Sequence, residues 1–460
     1  MRLDFSDGKK SKKDRQKSGQ YYTPEDLISL LGNALLSHFG KGDMGHIKVL
    51  DPACGTGNFL QWFKEQGVKE ENLYGIEIEK EAALQASAYL PKAHIECANA
   101  LRTDWRDLLE PDRFTLVVGN PPFRGQNRLS KEQAADMDRI FGLHKRGWAD
   151  YCASWFLKAA SFLSGSGARF GFISPSSMTK GSNVYPVWAP LLENGWNIEF
   201  GRDGLKWEQP GADVAINAIC LTQSPVTNQI SPHSLLLLPP VLVKPVDEPE
   251  NGLPPLRDGN REIKRRINAY QFIHGLRSEN YSTLYLPRVF SEKRKYFLAG
   301  GGIECKECTD ALYWCKDENG FAFSIVETLM FMAWQKMIGG RLKDKLRLSN
   351  LIWDTFPLPP LTPEQRGDLI EAGNEIKAVR DILPGSLADI YAPGHIPPKL
   401  KEAHNRLDAI MDSIFSSAPF ECELDRQRCL LNYYVKNTQK CRPRNPLPLP
   451  LCSGRFQNQP

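Results

Sequence analysis

The chain has 460 residues, of which 41% are hydrophobic and 24% are charged, and its formal net charge is +4 at pH 7. This length exceeds what one hydrophobic core usually supports, so two or three globular domains are expected. No apolar run approaches the ~20 residues that span a bilayer and the start lacks the apolar core of a secretory signal, so we expect a cytoplasmic protein without membrane association.

A helix is predicted near the start, after the segment GQYYTP. Thr23 is its expected N-cap, Pro24 takes the first helical position, and Asp26 closes a box-like turn. Apolar residues of helical period follow on one face: Leu27, Leu30, Leu31, Ala34 and Leu35.

Residues 20–222 alternate between short apolar runs and helical stretches. The predicted strands are IKVLDPA, LYGIEI, HIECANA, FTLVVGN, RFGFISP and VAINAICLT. Their spacing leaves room for helices between most of them. This alternation predicts an α/β domain with an open, largely parallel sheet covered by helices on both faces.

The segment VLDPACGTGNFL combines a strand, a glycine turn and the start of a helix. Gly55 and Gly57 let the backbone turn sharply and approach a ligand, next to the unpaired N–H groups of a helix N-terminus. A dinucleotide fingerprint would need a third glycine at position 60, where Leu60 stands, and this counts against NAD. The turn alone is weak evidence, because such turns are often purely structural.

Polar residues at the ends of successive predicted strands strengthen the case for a cofactor. Glu77 lies 22 residues after Gly55, the distance at which a carboxylate accepts hydrogen bonds from ribose hydroxyls. Asn99 ends the third strand, and its amide can donate and accept at an adenine edge. Together with Asp51, these residues predict a site for S-adenosylmethionine.

The fourth predicted strand ends in the segment GNPPF. The Asn120 side-chain oxygen and the Pro121 carbonyl can accept hydrogen bonds from both N–H groups of an exocyclic amine, which draws the nitrogen lone pair out of the ring. The prolines fix these acceptors, and Phe123 would stack on the base. In an arbitrary protein Asn-Pro-Pro is more often a plain turn, but here it follows the cofactor motifs.

A base in a duplex must leave the helix to reach such a pocket. Trp207, just before an apolar strand, is our candidate for the second wall of the base pocket, although a single tryptophan there is more often core packing.

The second half of the chain is less regular. A proline-rich linker is expected from Gln223 to about Asn260, and residues 261–360 have no assignable fold. Thr362, Pro363 and Gln365 form a capping box with proline at its favoured site. A helical stripe follows: Leu400, Ala403, Leu407, Ile410, Met411 and Ile414.

Eleven cysteines without a secretory signal indicate reduced thiols. Cys305, Cys308 and Cys315 lie close together, but no second CxxC or paired histidine is nearby, so we expect no metal.

The motifs resemble those of amino-group DNA methyltransferases of the gamma arrangement, which modify adenine at N6. They are GQYYTP, DPACGTGNFL, GIEIE, ANAL, GNPPF, RFGFISPSSM and KWEQPGADVAINAI, in that order. The segments LPRVFSEKRKYF, MAWQKMIGGRLKDKLRLSNLIWDTFPLPP and SLADIYAPGHIPPKLKEAHNRLDAIMDSIF resemble the second half of MmeI-like enzymes. The resemblance covers nearly the whole chain except residues 224–280 and the tail.

The resemblance implies a Rossmann-like class I methyltransferase domain at 1–222, a mixed target-recognition region at 223–360, a C-terminal helical domain at 361–440 and a disordered tail at 441–460. It implies S-adenosylmethionine as cofactor and double-stranded DNA as partner, and it leaves open a separate restriction or defence subunit. The expected cofactor-binding residues are Tyr22, Thr23, Asp51, Pro52, Ala53, Gly55, Gly57, Glu77, Asn99, Ala100 and Asn120. The expected catalytic residues are Asn120, Pro121, Pro122, Phe123 and Trp207.

The chain departs from its relatives at three points. Many of them have Asp at position 99 and Tyr at position 123. Asn99 keeps the presumed hydrogen-bond acceptor, and Phe123 keeps the aromatic ring. The first motif begins at Gly19, so no nuclease is expected before it and the chain should methylate without cutting. The segment that joins the methyltransferase to LPRVFSEKRKYF is short, so the resemblance leaves open how much sequence specificity the chain retains.

Basic residues of the second half are candidates for phosphate contacts, although such residues form solvated faces at least as often: Arg288, Lys293, Arg294, Lys295, Arg341 and Lys343. Two alternatives remain open. One is a protein glutamine N-methyltransferase, which also uses an Asn-Pro-Pro pocket. The other is a catalytically silent DNA-binding homologue, against which the intact Gly55, Glu77 and Asn120 argue.

Overall fold

The computed structural model describes residues 23–142, 144, 146–180, 184–206, 215–224, 251–259, 272–273, 281–301, 308–342 and 345–438. The chain forms two compact units, the first within residues 1–242 and the second within residues 243–442.

The first unit is built on a seven-stranded sheet. Its strands are β1 (Lys48–Asp51), β2 (Leu73–Glu77), β3 (His94–Cys97), β4 (Thr115–Gly119), β5 (Arg169–Pro175), β6 (Asn197–Lys206) and β7 (Ala215–Thr222). Its helices are α1 (Glu25–Leu36), α2 (Asn58–Glu65), α3 (Lys80–Tyr89), α4 (Lys131–Phe141), α5 (Ala153–Leu163) and α6 (Val184–Glu193).

The strand order is β3-β2-β1-β4-β5-β7-β6, with β1 to β5 parallel and β7 antiparallel to both of its neighbours. Leu50 of β1 pairs with Tyr74 on one side and with Val117 on the other. The order of the parallel strands reverses between β1 and β4. Ligands of open α/β sheets bind at such a switch point, outside the carboxyl ends of the strands.

Alternate strand residues point into two cores. Leu116 and Val118 of β4 join the core beneath α1 and α2, whereas Val117 joins the core beneath α4, α5 and α6. A strand buried on both faces reads as a continuous apolar run, as LVV does here. The expected α/β fold with a largely parallel, doubly covered sheet is therefore confirmed.

One local prediction in this unit is wrong, and one strand was not predicted. Thr23 is not the N-cap of α1: the helix begins at Glu25, Pro24 is the N-cap residue, and no side chain caps it. The Thr23 hydroxyl instead contacts Asn120. The strand β6 was not expected, because its sequence NIEFGRDGLK is polar and contains two glycines. It lies at the edge of the sheet and its pairing with β7 is irregular at two places.

The second unit contains two small sheets and seven helices among its described residues. The strands are β8 (Arg257–Asp258), β9 (Thr283–Pro287), β10 (Val289–Ser291), β11 (Gly300–Gly301), β12 (Leu312–Lys316), β13 (Gly340–Leu342) and β14 (Lys345–Arg347). The pairing is antiparallel, in the orders β11-β9-β12-β8 and β10-β14-β13. The helices are α7 (Phe321–Val326), α8 (Leu329–Ile338), α9 (Asn350–Asp354), α10 (Pro363–Ile382), α11 (Leu387–Ile390), α12 (Pro398–Phe415) and α13 (Glu423–Thr438).

The helical prediction for the second unit is confirmed. Thr362 caps α10, its hydroxyl accepts from the Gln365 N–H, and the Gln365 side chain accepts from the Thr362 N–H. Of the predicted stripe on α12, Leu400, Ala403, Leu407 and Met411 are buried, whereas Ile410 and Ile414 are half-buried. No helix in the described part of the chain is long and apolar enough to cross a membrane.

Candidate active site

Three of the predicted site residues stand at the ends of parallel strands. Asp51 is the last residue of β1, Glu77 is the last residue of β2, and Asn120 directly follows β4. Because these strands are parallel, their carboxyl ends share one edge of the sheet. The edge coincides with the switch point between β1 and β4.

Glu77 holds the glycine turn between β1 and α2. Its carboxylate accepts hydrogen bonds from the Gly55 N–H at 2.9 Å and from the Glu79 N–H at 2.8 Å. Gly55 and Gly57 have φ values of +54° and +91°, which side chains rarely adopt, and the space beside the Gly55 Cα is open. The turn is therefore ordered and leaves room for a ligand.

Asp51 is only 1% exposed, and its Oδ1 accepts a hydrogen bond from the Ala53 N–H at 3.0 Å. Burial raises the pKa of this carboxyl from 3.8 to about 8. Gly119 makes the arrangement possible: a Cβ at this position would lie 2.5 Å from Asp51 Oδ1. The glycine that ends β4 thus provides the space that the carboxyl occupies.

The acidic pair favours a cationic ligand. Burial also raises the pKa of Glu77, and the charge of Glu77 contributes to the raised pKa of Asp51. Among the described lysines and arginines, none forms an ion pair with either carboxylate. A positively charged ligand would offset the cost of ionising both groups.

Asn99 lies in a turn after β3 and is half-buried. Its Oδ1 accepts from the Leu101 N–H at 2.9 Å, and its Nδ2 donates to Asp136 Oδ2 at 3.1 Å. The neighbouring Ala100 is buried, and its carbonyl accepts hydrogen bonds from Trp105 and Lys158. The contact with Asp136 was not predicted, because the two residues are 37 positions apart and no local motif links them.

Asn120 has one paired and one unpaired polar atom. Its Nδ2 donates to the Thr23 hydroxyl at 3.0 Å, which fixes the amide. Its Oδ1 is buried and has no hydrogen-bond partner among the residues that the structure describes. Buried acceptors without a partner are rare in folded proteins and point to an absent ligand or water. The oxygen is therefore an acceptor available to a substrate donor.

The rest of the NPPF segment is held by the protein core. Pro121 is buried, Pro122 and Phe123 are half-buried, and Phe123 packs against both cores of the first unit. The following Arg124 N–H donates to Asp150 Oδ1 at 3.0 Å, and the Arg124 carbonyl accepts from the Tyr151 N–H at 2.9 Å.

The segment that begins at Asp150 also reaches the glycine turn. Trp155 Nε1 donates to the Pro52 carbonyl at 3.0 Å, and Tyr151 packs edge-to-face on Trp155. One stretch of chain thus braces both the NPPF segment and the glycine turn. Sequence reasoning missed this support, since it depends on contacts up to 103 positions apart.

Several sequence predictions fall outside the described residues: Tyr22, Trp207, Cys305 and Lys343. Cys308 and Cys315 are both buried, and Cys315 is a free thiol. Within the described ranges no group of three His, Cys, Asp or Glu side chains is arranged to hold a metal ion.

The described basic residues of the second unit differ in their surroundings. Arg294 donates to the Ala388 and Tyr391 carbonyls, so its guanidinium is engaged inside the protein. Arg288 lies 4.0 Å from the centre of the Tyr313 ring and pairs with Asp258.

Three consecutive family models match the chain. They are described as MmeI DNA-methyltransferase domain (residues 74–230), MmeI target recognition domain (241–360) and MmeI C-terminal domain (361–441). They occur in this order and together span most of the chain.

Individual proteins agree with the family models. DNA methyltransferase A of Bacillus subtilis (strain 168) is 26% identical over 86% of this chain, which spans 62% of that protein's length. The Type II methyltransferase M.VspI of Vibrio sp. (strain 343) is 27% identical over 41% of this chain and 45% of its own length.

One solved structure shares the fold across almost the whole chain. The Type IIL restriction-modification enzyme MmeI, solved in complex with DNA, superposes with a TM-score of 0.76 and 22% identity, covering 93% of this chain and 80% of that one. The agreement of the fold, the ordered motifs and all three domain models leads to one conclusion: the chain belongs to the MmeI family.

Proposed function

We propose that this protein is a site-specific DNA methyltransferase that transfers a methyl group from S-adenosylmethionine to N6 of adenine, within a restriction-modification or related defence system. The observation that carries the proposal is the buried, unpartnered Oδ1 of Asn120, directly after β4 at the switch point of the sheet. The first curated relative is a DNA methyltransferase, and this chain spans under two thirds of its length.

The residues of the glycine turn suit S-adenosylmethionine. In the proposed complex, the open space at Gly55 admits the cofactor, the Glu77 carboxylate accepts from ribose hydroxyls, and Asn99 contacts the adenine. The buried acidic pair complements a cationic cofactor. Tyr22, Thr23 and Asp51 complete the proposed site together with Pro52, Ala53, Gly57 and Ala100. When bound, the cofactor supplies a methyl group on a sulfonium, a strong methyl donor.

Asn120 and Pro121 act on the target amine. Asn120 Oδ1 and the Pro121 carbonyl each accept one N–H of the exocyclic amino group, which concentrates electron density on the nitrogen. Thr23 keeps the amide in this orientation, so little reorganisation is needed in the transition state. The nitrogen would form its new bond to the methyl carbon as the bond from that carbon to the sulfonium sulfur breaks, which leaves S-adenosylhomocysteine, and the nitrogen would lose one proton to solvent.

The base itself must be extruded from the duplex. Phe123 offers one aromatic face and Trp207 is the proposed second wall. DNA contacts outside the pocket are assigned to the target-recognition region at 223–360, where the guanidinium of Arg288, stacked on Tyr313, is a candidate phosphate ligand. In the proposed division of the chain into domains, a helical region at 361–440 and a tail at 441–460 follow the target-recognition region.

Transfer of a labelled methyl group to duplex DNA tests the proposal. Asn120→Ala should lower the rate by at least about 100-fold, because it removes an acceptor used in the transition state, and should leave cofactor affinity nearly intact. Asn127→Ala, an exposed amide in the same loop, is the matched control and should keep the wild-type rate.

Sequencing that detects modified bases in DNA from expressing cells would identify the base and the recognition site. Undiminished transfer by Asn120→Ala would refute the mechanism. Label on a protein glutamine rather than on DNA would refute the substrate.

A further inference from the structure

The inference concerns Asp136, a carboxylate of α4 that no sequence motif marked. It is only 1% exposed and accepts from three side chains: Asn99 Nδ2 at 3.1 Å, Arg102 Nε at 2.8 Å and Arg139 Nη1 at 3.1 Å. The arginines are roughly half-exposed, whereas the Asn99 amide lies at the proposed cofactor site.

The hydrogen bonds of Asn99 fix which way its amide points. A carboxylate only accepts and a backbone N–H only donates, so Nδ2 must face Asp136 and Oδ1 must face Leu101. A flipped amide would set Oδ1 against the Asp136 carboxylate and Nδ2 against the Leu101 N–H. Both contacts would become repulsive.

We propose that Asp136 is a positioning residue that fixes the Asn99 amide so that its oxygen is the acceptor for the 6-amino group of the cofactor's adenine. The inference rests on the proposed function. Oδ1 has a second lone pair beyond the one that Leu101 uses, and that lone pair accepts an amino donor. The site then rejects a purine with an oxygen at position 6.

This role also explains the asparagine. An aspartate at position 99 would place two carboxylates at the distance that now separates Nδ2 and Oδ2, and like charges that close oppose ionisation of both. Exchanging the two residues restores a donor facing an acceptor: in Asn99→Asp combined with Asp136→Asn, the amide at 136 donates and the carboxylate at 99 accepts.

Binding of S-adenosylhomocysteine and of its deaminated analogue S-inosylhomocysteine, measured by calorimetry without DNA, tests the proposal. The wild type should prefer the adenine form by at least about tenfold, because a paired acceptor rejects a ligand lacking the amino group. Asp136→Ala should reduce that preference at least about fivefold, since one of the two contacts that fix the amide is gone. Glu132→Gln, an exposed acidic position on the same helix, should change nothing.

The exchange of residues gives a second readout. Asn99→Asp should weaken binding at least about tenfold, and the double variant should return to within about threefold of wild type, since the like-charge contact is removed. A merely structural Asp136 would give a double variant at least as weak as Asn99→Asp. If Asp136→Ala does not fold, the comparison of Asn99→Asp with the double variant decides alone.

Unchanged preference in folded Asp136→Ala, or a double variant no better than Asn99→Asp, would overturn the inference. Its failure is distinguishable from failure of the proposed function. A wild type that binds S-adenosylhomocysteine selectively but does not methylate DNA refutes the substrate and not the role of Asp136, whereas a wild type that binds neither compound refutes the cofactor and with it both proposals.

Discussion

At the scale of single residues, the site depends on close contacts between small groups. Asn120 is oriented by Thr23 across 97 positions of sequence, and Asp51 fits only because residue 119 has no side chain. The sequence predicted these candidate site residues from their positions at or near the ends of strands. Their partners were not, since a hydrogen bond between distant positions leaves no periodic pattern.

Gly119→Ala should disturb the site. The new methyl group would lie 2.5 Å from Asp51 Oδ1, and the buried carboxyl has little room to move. We expect the free energy of unfolding to fall by about 1–3 kcal/mol, as for other overpacked sites, and cofactor affinity to fall with it. Gly125→Ala, where no atom lies within 4 Å, is the control for urea denaturation. Equal losses in both variants would contradict this prediction.

Asp51 should give the stability of the protein a distinct pH dependence. Its pKa rises from 3.8 in the unfolded chain to about 8 in the folded one, so between these values the folded state binds more protons. The free energy of unfolding should therefore fall as pH rises through this window.

Asp51→Asn, which removes the titrating group, should flatten the dependence and be the more stable protein at pH 8 by about 1 kcal/mol or more. Urea denaturation at pH 5 and pH 8 compares the two proteins. A wild type that gains stability relative to Asp51→Asn over this range would disprove the assignment.

At the scale of elements, the sequence predicted the strands and helices that leave a local pattern of apolar or capping residues. The largely buried strands β1, β2, β4, β5 and β7 and the capped helix α10 were predicted because a buried strand and a capping box each have a local signature. The edge strand β6 was missed, since an edge needs no apolar pattern and carries charges that discourage pairing with other chains. The start of α1 was misplaced because a tertiary contact took the Thr23 hydroxyl.

The capping box of α10 should contribute measurably to the free energy of unfolding. Thr362→Ala removes the acceptor for the Gln365 N–H and should cost about 1 kcal/mol. Thr362→Ser keeps the hydroxyl and should stay near wild type. Thermal unfolding of the three proteins compares them, and equal midpoints for wild type and Thr362→Ala would show that the cap does not stabilise the helix.

At the scale of the whole molecule, the second unit contains both the matched target recognition domain and the matched C-terminal domain, which meet at residue 360. Arg380 of α10 is fully buried and pairs with Glu327 of the preceding region at 2.6 Å, and its Nη1 donates to the Ala299 carbonyl at 2.7 Å. Tyr391 and His404 extend the network. One buried polar network therefore joins the regions on the two sides of the proposed division at residue 360.

Breaking this pair should destabilise the entire second unit. Arg380→Met leaves the Glu327 charge buried without its partner and should cost about 3–5 kcal/mol. Adding Glu327→Gln, which keeps an acceptor for the Ala299 N–H, should recover much of the loss. Arg406→Met, which breaks two exposed ion pairs from α12 to Glu371 and Glu375 of α10, should have little effect.

Cooperativity gives the readout for the whole unit. Residues 243–360 and 361–442 should unfold in a single denaturant transition, and Arg380→Met should shift that transition as one. Two separate transitions, of which only one moves, would show that the network does not couple the regions.

The unpartnered oxygen of Asn120 has a consequence for turnover. An unmodified adenine brings two N–H donors to the two proposed acceptors, but N6-methyladenine retains only one. One acceptor is then left without a donor in the product complex, and a buried vacant lone pair costs about 1–3 kcal/mol. We therefore expect the modified base to be expelled more readily than the unmodified base is, so that completed sites compete poorly for the enzyme. Inhibition by premethylated duplexes, compared with unmethylated competitor, measures that difference directly, and equal inhibition by both would refute it.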